Sequence, residues 1–147
     1  MSVFISSINY CPVKSVSFQR INSCEIKKNV GIVGDRIFAF SKGLDSNQAQ
    51  LFEKNLEERR GKWNKILTLK NTPSLNKYNF IFNNKKLILT QNDKEIITVN
   101  SDERSEYELL SNKILKLENS LQKPLFLMKN INIPFFDTSI SNKTLLT

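Results

Sequence analysis

The sequence predicts a small α+β domain that is mainly β, in which a mostly antiparallel barrel is covered by one helix from the C-terminal half. Three observations predict this fold class. About seven short segments rich in β-forming residues are separated by turn residues roughly every 8–12 positions. One longer segment has apolar residues at helical spacing. The 147 residues, 39% apolar and 24% charged, suit one soluble domain with its own core.

Three segments in the first third of the chain are rich in β-forming residues and predict strands: residues 3–10, 18–27 and 36–41. Pro12 has no backbone donor, so the sheet ladder is expected to be interrupted there or to lie at an edge. Two glycines make residues 29–34 a turn between the second and third strands. Alternation along the third strand places Phe38 and Phe40 on one face. This region therefore predicts short strands joined by tight turns.

The middle of the chain predicts an insertion followed by an antiparallel meander. Residues 48–61 contain good helix formers and end in Gly61, which can cap a helix, but they also fit an ordered loop. A β-type apolar run covers residues 62–70. Three predicted strands then cover residues 75–82, 85–91 and 94–100, with tight turns expected at Asn83–Asn84 and Asn92–Asp93.

Residues 103–121 form the one clear helix that the sequence predicts. Its apolar side chains fall on a single stripe, and Asn100 with Glu103 fits a capping box. The stripe consists of Tyr107, Leu110, Ile114, Leu117 and Leu121. A further strand is predicted over residues 123–129. The helix is expected to cover one open end or face of the barrel.

The composition excludes several kinds of chemistry. The chain has no histidine, which excludes His-based triads, imidazole metal ligands and imidazole acid–base catalysis within it. Cys11 and Cys24 match no zinc or redox spacing and are interpreted as small buried hydrophobic residues, a usage that fits a reducing cytoplasm. The chain lacks the ~20-residue apolar run of a membrane span and the pattern of a secretory signal. A cytoplasmic location is therefore predicted.

The positive net charge of the chain favours an anionic partner. The formal net charge is +8, with 22 Lys and Arg against 14 Asp and Glu. The basic residues are scattered along the chain and form no block, which favours a solubilising surface over a nucleic-acid footprint. The charge alone therefore does not identify the partner.

Two short motifs place basic residues at predicted strand edges. They are "YCPVKS" at residues 10–15 and "GIVGDR" at residues 31–36. Arg offers a planar fork of donors, Lys a point charge and Ser a hydroxyl, so Lys14, Ser15 and Arg36 together suit a phosphate-bearing ligand. The alternative is that Lys14 and Arg36 are edge-strand gatekeepers and Asp35 is their surface partner.

The segment that carries both motifs, residues 8–41, resembles the N-terminal β-barrel domain of MOSC proteins. That family opens with a Tyr-Pro-Val-Lys-Ser or Tyr-Pro-Val-Lys-Gly strand and continues to a Gly-x-x-x-Asp-Arg motif before a Phe-rich strand. "KWNKILTLKNTPSLNKYNFIF" and "PFFDTSIS" are similar, more loosely, to later family segments, the second to the linker before the catalytic MOSC domain. The resemblance implies a barrel-like domain over residues 1–130 and a linker over residues 131–147 toward a MOSC domain that this sequence does not contain.

The resemblance also implies a cofactor. In relatives such as the mitochondrial amidoxime-reducing component and its bacterial relatives, a molybdenum cofactor of the molybdopterin type lies between the barrel and the MOSC domain. By position, Lys14, Ser15 and Arg36 would contact its pterin-phosphate end, and Asp35 would be structural. Reduction of N-hydroxylated compounds would take place in the MOSC domain, with electrons from a separate redox protein. This chain alone is expected to be inactive.

Two departures from the family pattern bear on the cofactor. Cys11 stands where the family usually has Tyr, and its place before Pro12 does not favour a role as metal ligand. Thr138 and Ser139 resemble an Asp-Thr-Ser near the cofactor in some members.

Two other functions remain open. One is a small basic barrel that binds RNA or single-stranded DNA, and the other is a structural or partner-docking module. A nucleic-acid platform needs exposed aromatic residues beside basic groups. We expect the relevant phenylalanines to be internal instead, namely Phe38, Phe40, Phe80 and Phe82.

Overall fold

The computed structural model describes residues 4–16 and 18–136 of the chain. Within these ranges the protein is α+β, with three α-helices and mostly antiparallel sheets. The strands are β1 (Ile8–Tyr10), β2 (Gln19–Ile21), β3 (Ile26–Lys27), β4 (Gly31–Ile32), β5 (Phe38–Lys42), β6 (Tyr78–Asn83), β7 (Lys86–Gln91), β8 (Lys94–Asn100) and β9 (Leu125–Lys129). The helices are α1 (Ser46–Lys54), α2 (Leu56–Arg59) and α3 (Arg104–Leu117). Two short 3-10 turns, Trp63–Lys65 and Pro73–Lys77, lie between α2 and β6.

The described strands pair in four separate sheets. β1 pairs with β2, β3 with β4 and β5 with β9, while β6, β7 and β8 form a three-stranded meander, and all of these pairings are antiparallel. A parallel bridge joins Val13 to Phe38 and links the segment after β1 to β5. Phe38 also pairs with Lys129 of β9. The start of the chain and the segment after β9 are therefore both brought to β5.

Strand β5 lies between two apolar clusters. Phe38 and Phe40 belong to the larger one, where they pack with the meander and α3 through buried side chains such as Leu89 and Leu110. The smaller cluster contains Ala39, Phe52, Ile66, Met128 and Phe135. Because both of its faces are covered, β5 is apolar along most of its length instead of alternating. It is the rigid element from which the residues before it, Asp35 and Arg36, are positioned.

The sequence correctly predicts the meander, helix α3 and strand β9. In the turn between β7 and β8, Asn92 and Asp93 adopt positive φ values of 51° and 60°, as the hairpin prediction requires. The preceding turn is shifted by one residue from its prediction. Asn83 still pairs with Lys86, so the positive φ values fall on Asn84 and Lys85. Asn adopts positive φ values more readily than most residues, and both Asn83 and Asn84 could do so. The sequence alone therefore does not determine which two residues form the turn between β6 and β7.

The strand predicted over residues 62–70 is wrong. The segment forms the turn Trp63–Lys65 and then makes one isolated bridge, between Ile66 and Ser41. Asn71 explains the difference. Its side-chain oxygen accepts from the Thr68 amide at 2.9 Å, and its amide group donates to the Ile66 carbonyl at 2.9 Å. These bonds hold the segment as a compact loop, because a side chain takes the place of a strand partner.

Of the two alternatives for residues 48–61, the helical one is confirmed, because residues 46–59 form α1 and α2. The described residues therefore contain three helices, where the predicted fold class has one. Asp45 caps α1: it accepts from the Gln48 amide at 2.8 Å, and the Gln48 side chain accepts from the Asp45 amide at 3.1 Å. The segment is helical rather than looped because this cap is complete and Phe52 is buried in the smaller cluster. Among the described residues, no helix is long and apolar enough to cross a membrane.

Three finer expectations also differ from the structure. Helix α3 begins without the expected capping box, since Glu103 makes no side-chain cap bond and Glu106 instead accepts from the Asn100 amide at 2.6 Å. The second predicted strand splits into β2 and β3. Cys11 is buried as expected, whereas Cys24 is only half-buried.

Candidate functional site

A cleft of about 800 Å³ opens beside the start of β5, and residues of both sequence motifs line it. Lys14, Ser15 and Arg36 are all among its lining residues. The opposite side comes from the loop after α2, with Trp63 and Lys70. The structure therefore brings the three sequence-predicted residues to one cleft. Its volume lies within the range typical of small-molecule sites.

Backbone hydrogen bonds hold the two motifs side by side. The Cys11 amide donates to the Asp35 carboxylate at 2.8 Å, across 24 residues of sequence. The Arg36 amide donates to the Cys11 carbonyl at 2.7 Å. Farther along, the Phe38 amide donates to the Pro12 carbonyl at 3.0 Å, and the Lys14 amide donates to the Phe38 carbonyl at 2.8 Å. Pro12 has no backbone N–H to donate, but its carbonyl accepts the bond from Phe38. The segment around Pro12 therefore runs beside β5 without forming a regular strand ladder.

Ser15 and Arg36 both adopt left-handed backbone conformations, with φ of 62° and 52°. For residues other than Gly, Asn or Asp this conformation costs on the order of 1–2 kcal/mol. Strain of this kind often lies at binding sites, where the surrounding structure maintains it. Here it occurs at two of the three predicted ligand-contacting residues. The turn before Arg36 also needs Gly34, whose φ of +91° is a conformation that residues with a Cβ rarely adopt.

Arg36 presents its guanidinium at the cleft between a carboxylate and two aromatic rings. The Asp35 carboxylate pairs with Nη1, and Asp35 itself is buried. The guanidinium carbon lies 5.6 Å from the centre of the Phe18 ring and 5.5 Å from that of the Phe136 ring. The Arg36 side chain remains 27% exposed. Asp35 is therefore held by a backbone amide and by Arg36, and the Arg36 side chain stays partly accessible at the cleft.

Lys14 is nearly inaccessible, with 2% exposure. Its ammonium nitrogen lies 5.9 Å from the centre of the Trp63 ring, a cation–π distance. An edge-strand gatekeeper would be solvated, so the burial of Lys14 argues against that interpretation. The cleft thus holds one deep cation, Lys14, and one cation nearer its mouth, Arg36.

Cys11 is a buried residue of the cleft wall, and its thiol is hydrogen-bonded to the backbone. The sulfur lies 2.6 Å from the carbonyl oxygens of both Val13 and Val16, either of which can accept its proton. Burial raises the pKa of the Cys11 thiol above its ordinary value. Metal ions bind the thiolate, so a thiol held protonated is a poor ligand. Nor do the described residues contain any cluster of three or more Cys, Asp or Glu that could hold a metal ion.

The sequence did not reveal the aromatic part of the cleft. Phe18 is 63% exposed although it is large and apolar, and Trp63 both lines the cleft and packs against the smaller cluster. Phe136 comes from a segment assigned to the linker. No spacing in the sequence connects these three residues to Arg36, because the fold brings them together from distant segments. The two further candidates, Thr138 and Ser139, lie outside the described residues.

The four phenylalanines that could have formed a nucleic-acid platform are largely internal. Phe38, Phe40 and Phe80 are at most 2% exposed. Phe82 is half-buried and makes an edge-to-face contact with Phe38, at a centroid distance of 5.2 Å. Phe18 is the exposed aromatic residue that lies next to a basic group of the cleft.

Comparisons with protein-family models, with curated protein sequences and with solved structures found no match. The resemblance to the MOSC N-terminal domain therefore rests on the motifs alone and stays a prediction.

Proposed function

We propose that the cleft binds the phosphate end of a molybdopterin-type cofactor, and that the chain is the N-terminal part of a MOSC-type molybdenum-cofactor oxidoreductase. One observation carries the proposal: Lys14 and Ser15 of the first motif and Arg36 of the second line a single cleft. The barrel expected from the resemblance is part of the same proposal, with β5 as its central strand.

The donors of the cleft fit a phosphate monoester. The Arg36 guanidinium has five N–H donors. The nitrogen Nη1 pairs with Asp35, so the donors on the other nitrogens remain for phosphate oxygens. Lys14 adds a second positive charge, and Ser15 adds a hydroxyl that can donate. Lys14 and Arg36 carry two positive charges and Asp35 carries one negative charge, so these three residues leave one net positive charge beside the cleft. The partial burial of the site strengthens the attraction of that charge to a phosphate. The Trp63 and Phe18 rings supply flat apolar surfaces of the kind that suit a pterin ring.

The residues present do not fit the metal end of the cofactor. The Cys11 thiol is hydrogen-bonded to backbone and its pKa is raised, so this chain offers no thiolate there. The metal ligand is therefore proposed to come from a MOSC domain, as the resemblance implies. When bound, the cofactor would supply the redox chemistry that reduces N-hydroxylated compounds. The role of this chain is to bind and orient the phosphate end. A separate electron-donor protein and a cytoplasmic location belong to the same proposal.

The second candidate is binding to RNA or single-stranded DNA. The exposed Phe18 ring beside Arg36 favours it, because an aromatic face next to a cation can stack a base. Proteins that bind single strands generally use successive aromatic residues along a groove. The four other candidate phenylalanines point inward or are half-buried, so the geometry supports a small anionic ligand better than a strand.

The test is calorimetric titration of the protein with dihydroneopterin phosphate and with dihydroneopterin, which lacks only the phosphate. We expect the phosphate compound to bind more tightly. A charge-assisted contact between Arg36 and the phosphate contributes about 1.5–3 kcal/mol. Its loss should weaken the binding of the phosphate compound by roughly 10- to 150-fold. Arg36→Ala alone would also leave the buried Asp35 carboxylate without its partner. The informative variants are therefore Asp35→Asn and the double variant Asp35→Asn/Arg36→Ala.

Asp35→Asn should bind the phosphate compound about 2- to 5-fold more tightly, because a competing carboxylate is removed from Arg36. The double variant should lose the preference for the phosphate compound. Arg20→Ala on β2 is the matched control, since Arg20 is exposed and carries the same charge. The double variant leaves the net charge unchanged, so the loss due to Arg36 is the difference in affinity between Asp35→Asn and the double variant. An equal loss on going from the parent to Arg20→Ala would mean nonspecific attraction, and the cofactor proposal would fail. Tight oligonucleotide binding that persists at physiological salt would favour the second candidate.

A further inference from the structure

The segment after β9 closes over the backbone of Arg36. We name residues 130–136 the strap. At its start, the Asn130 amide donates to the Ile37 carbonyl at 2.8 Å. At its end, the Phe135 amide donates to the Arg36 carbonyl at 2.8 Å, and the Phe136 ring lies against the Arg36 guanidinium. The strap thus bonds to the residue that adopts a left-handed conformation and also contacts its side chain.

Arg59, at the end of α2, holds the strap in place. The residue is 0% exposed, and its guanidinium donates to two carbonyls of the strap, those of Ile133 at 2.9 Å and Pro134 at 3.2 Å. Its remaining bonds go to the end of α1, to the carbonyls of Phe52 at 2.6 Å and Glu53 at 2.7 Å. The last carbonyls of a helix have no partner within the helix, so one guanidinium satisfies these groups and fastens the strap to them.

The contact extends to the ring that precedes Phe136. The Arg59 guanidinium carbon lies 4.1 Å from the centre of the Phe135 ring, which is fully buried. Neighbouring residues of the strap, Phe135 and Phe136, therefore contact two different arginines. A shift of the strap that released Arg59 would also remove the Phe135 amide from the Arg36 carbonyl. Only a planar fork reaches carbonyls on two segments at once, which a lysine ammonium cannot reproduce with the same geometry.

We infer that Arg59 is a positioning residue for the anion site: through the strap it fixes the backbone and the guanidinium of Arg36. The inference rests on the proposed function of the cleft. It concerns an arginine that lines no part of the cleft and that no sequence motif identified. Arg59 contributes by holding Arg36 in the geometry that receives a phosphate, because a site that is already ordered binds more tightly than one that must be ordered by its ligand.

The test compares Arg59→Lys with the parent protein in two measurements. The first is the affinity for dihydroneopterin phosphate, which we expect to fall roughly 10-fold. The second needs no ligand: the NMR signal of the Arg36 Nε–H group should carry ring-current shifts from Phe18 and Phe136 in the parent and lose the Phe136 contribution in the variant. Phe136→Leu should weaken binding by about 3-fold, since only the ring contact is removed.

Leu110→Ala is the control for destabilisation alone, because Leu110 is fully buried in the larger cluster. It should leave the affinity and the Arg36 signal unchanged while the protein is folded. If Arg59→Lys does not fold, Asn130→Ala takes its place, because the Asn130 side chain donates to the Glu53 carbonyl at 2.7 Å and loosens the strap when removed.

The outcomes separate the inference from the proposed function. The inference is overturned by a strap variant that folds, binds dihydroneopterin phosphate within 2-fold of the parent, and keeps the Phe136 contribution to the Arg36 Nε–H signal. A parent that does not distinguish dihydroneopterin phosphate from dihydroneopterin overturns the proposed function, and the Arg36 signal then still decides whether Arg59 positions Arg36. Loss of that signal in Leu110→Ala as well would reduce the effect to general destabilisation and would also overturn the inference.

Discussion

Arg36 and Arg59 lie against consecutive rings of the same segment, yet their environments differ. The Arg59 guanidinium is fully buried and donates to four backbone carbonyls. The Arg36 guanidinium is partly exposed, pairs with Asp35 and faces a cleft. A guanidinium whose donors are satisfied by backbone holds the fold together, whereas one that keeps donors toward a cleft can hold a ligand. The comparison separates the structural arginine from the candidate binding arginine.

The electrostatics of the two sites support this distinction. Burial lowers the pKa of Arg59 to about 10, with the Glu53 carboxylate opposing the shift, so the group is charged at neutral pH. Its charge is solvated by carbonyl dipoles instead of water. Glu53 also binds Arg104 on α3, with one oxygen 2.7 Å from Nη1. Arg59 thus belongs to a network that joins α1, α2, α3 and the strap.

The largest predicted effect is on the stability of the buried site. Arg59→Met should lower the free energy of unfolding by about 3 kcal/mol, because the carbonyls of Phe52, Ile133 and Pro134 lose this donor. The Glu53 carbonyl keeps its bond from Asn130. Urea denaturation of the parent and the variant measures the change. Arg60→Met is the matched control. The Arg60 side chain is 67% exposed and pairs with Glu57 across the surface, so its loss should cost less than about 0.5 kcal/mol. Equal losses for the two variants would remove the distinction between Arg59 and a surface arginine.

A smaller effect is predicted at the turn that presents Arg36. Gly34→Ala should cost about 2 kcal/mol, because a φ of +91° lies beyond the left-handed region that residues with a Cβ tolerate. Gly43→Ala is the matched control: its φ is +66° and no atom lies within 4 Å of the added Cβ, so about 1 kcal/mol is expected. Thermal or urea unfolding measures both variants. A Gly43 variant that is at least as destabilised as the Gly34 variant would show that the turn before Arg36 is not specially constrained.

The elements that could be predicted from sequence are those specified by local patterns. The meander has alternating strands and asparagine turns, and α3 has a single apolar stripe around Leu110. The failures occur where a distant contact determines the local structure. Residues 62–70 have the composition of a strand, but the Asn71 side chain satisfies the backbone that a strand partner would have paired. Phe135 lies in a predicted linker but is fully buried beneath Arg59.

The candidate site divides in the same way. Lys14, Ser15 and Arg36 were recognisable because two short motifs contain them and because cations with a hydroxyl suit a phosphate. Phe18, Phe136 and Arg59 were not recognisable, since their roles depend on how the chain folds back after β9. A glutamate-rich helical segment gives no local sign that one of its arginines is buried. The strap is therefore a tertiary feature that no periodicity could have revealed.

The location of a bound phosphate tests the central claim most directly. A crystal structure of the protein with dihydroneopterin phosphate would give the position of the phosphorus atom. We expect phosphate oxygens at charge-assisted hydrogen-bond distance, roughly 2.7–2.9 Å, from the Arg36 guanidinium, with Lys14 and Ser15 in the same site. A second groove of about 350 Å³, between α1, α3 and β9, contains Arg104 as an alternative cation. A phosphate bound there, with the Arg36 cleft empty, would mean that the Arg36 cleft is not the anion site.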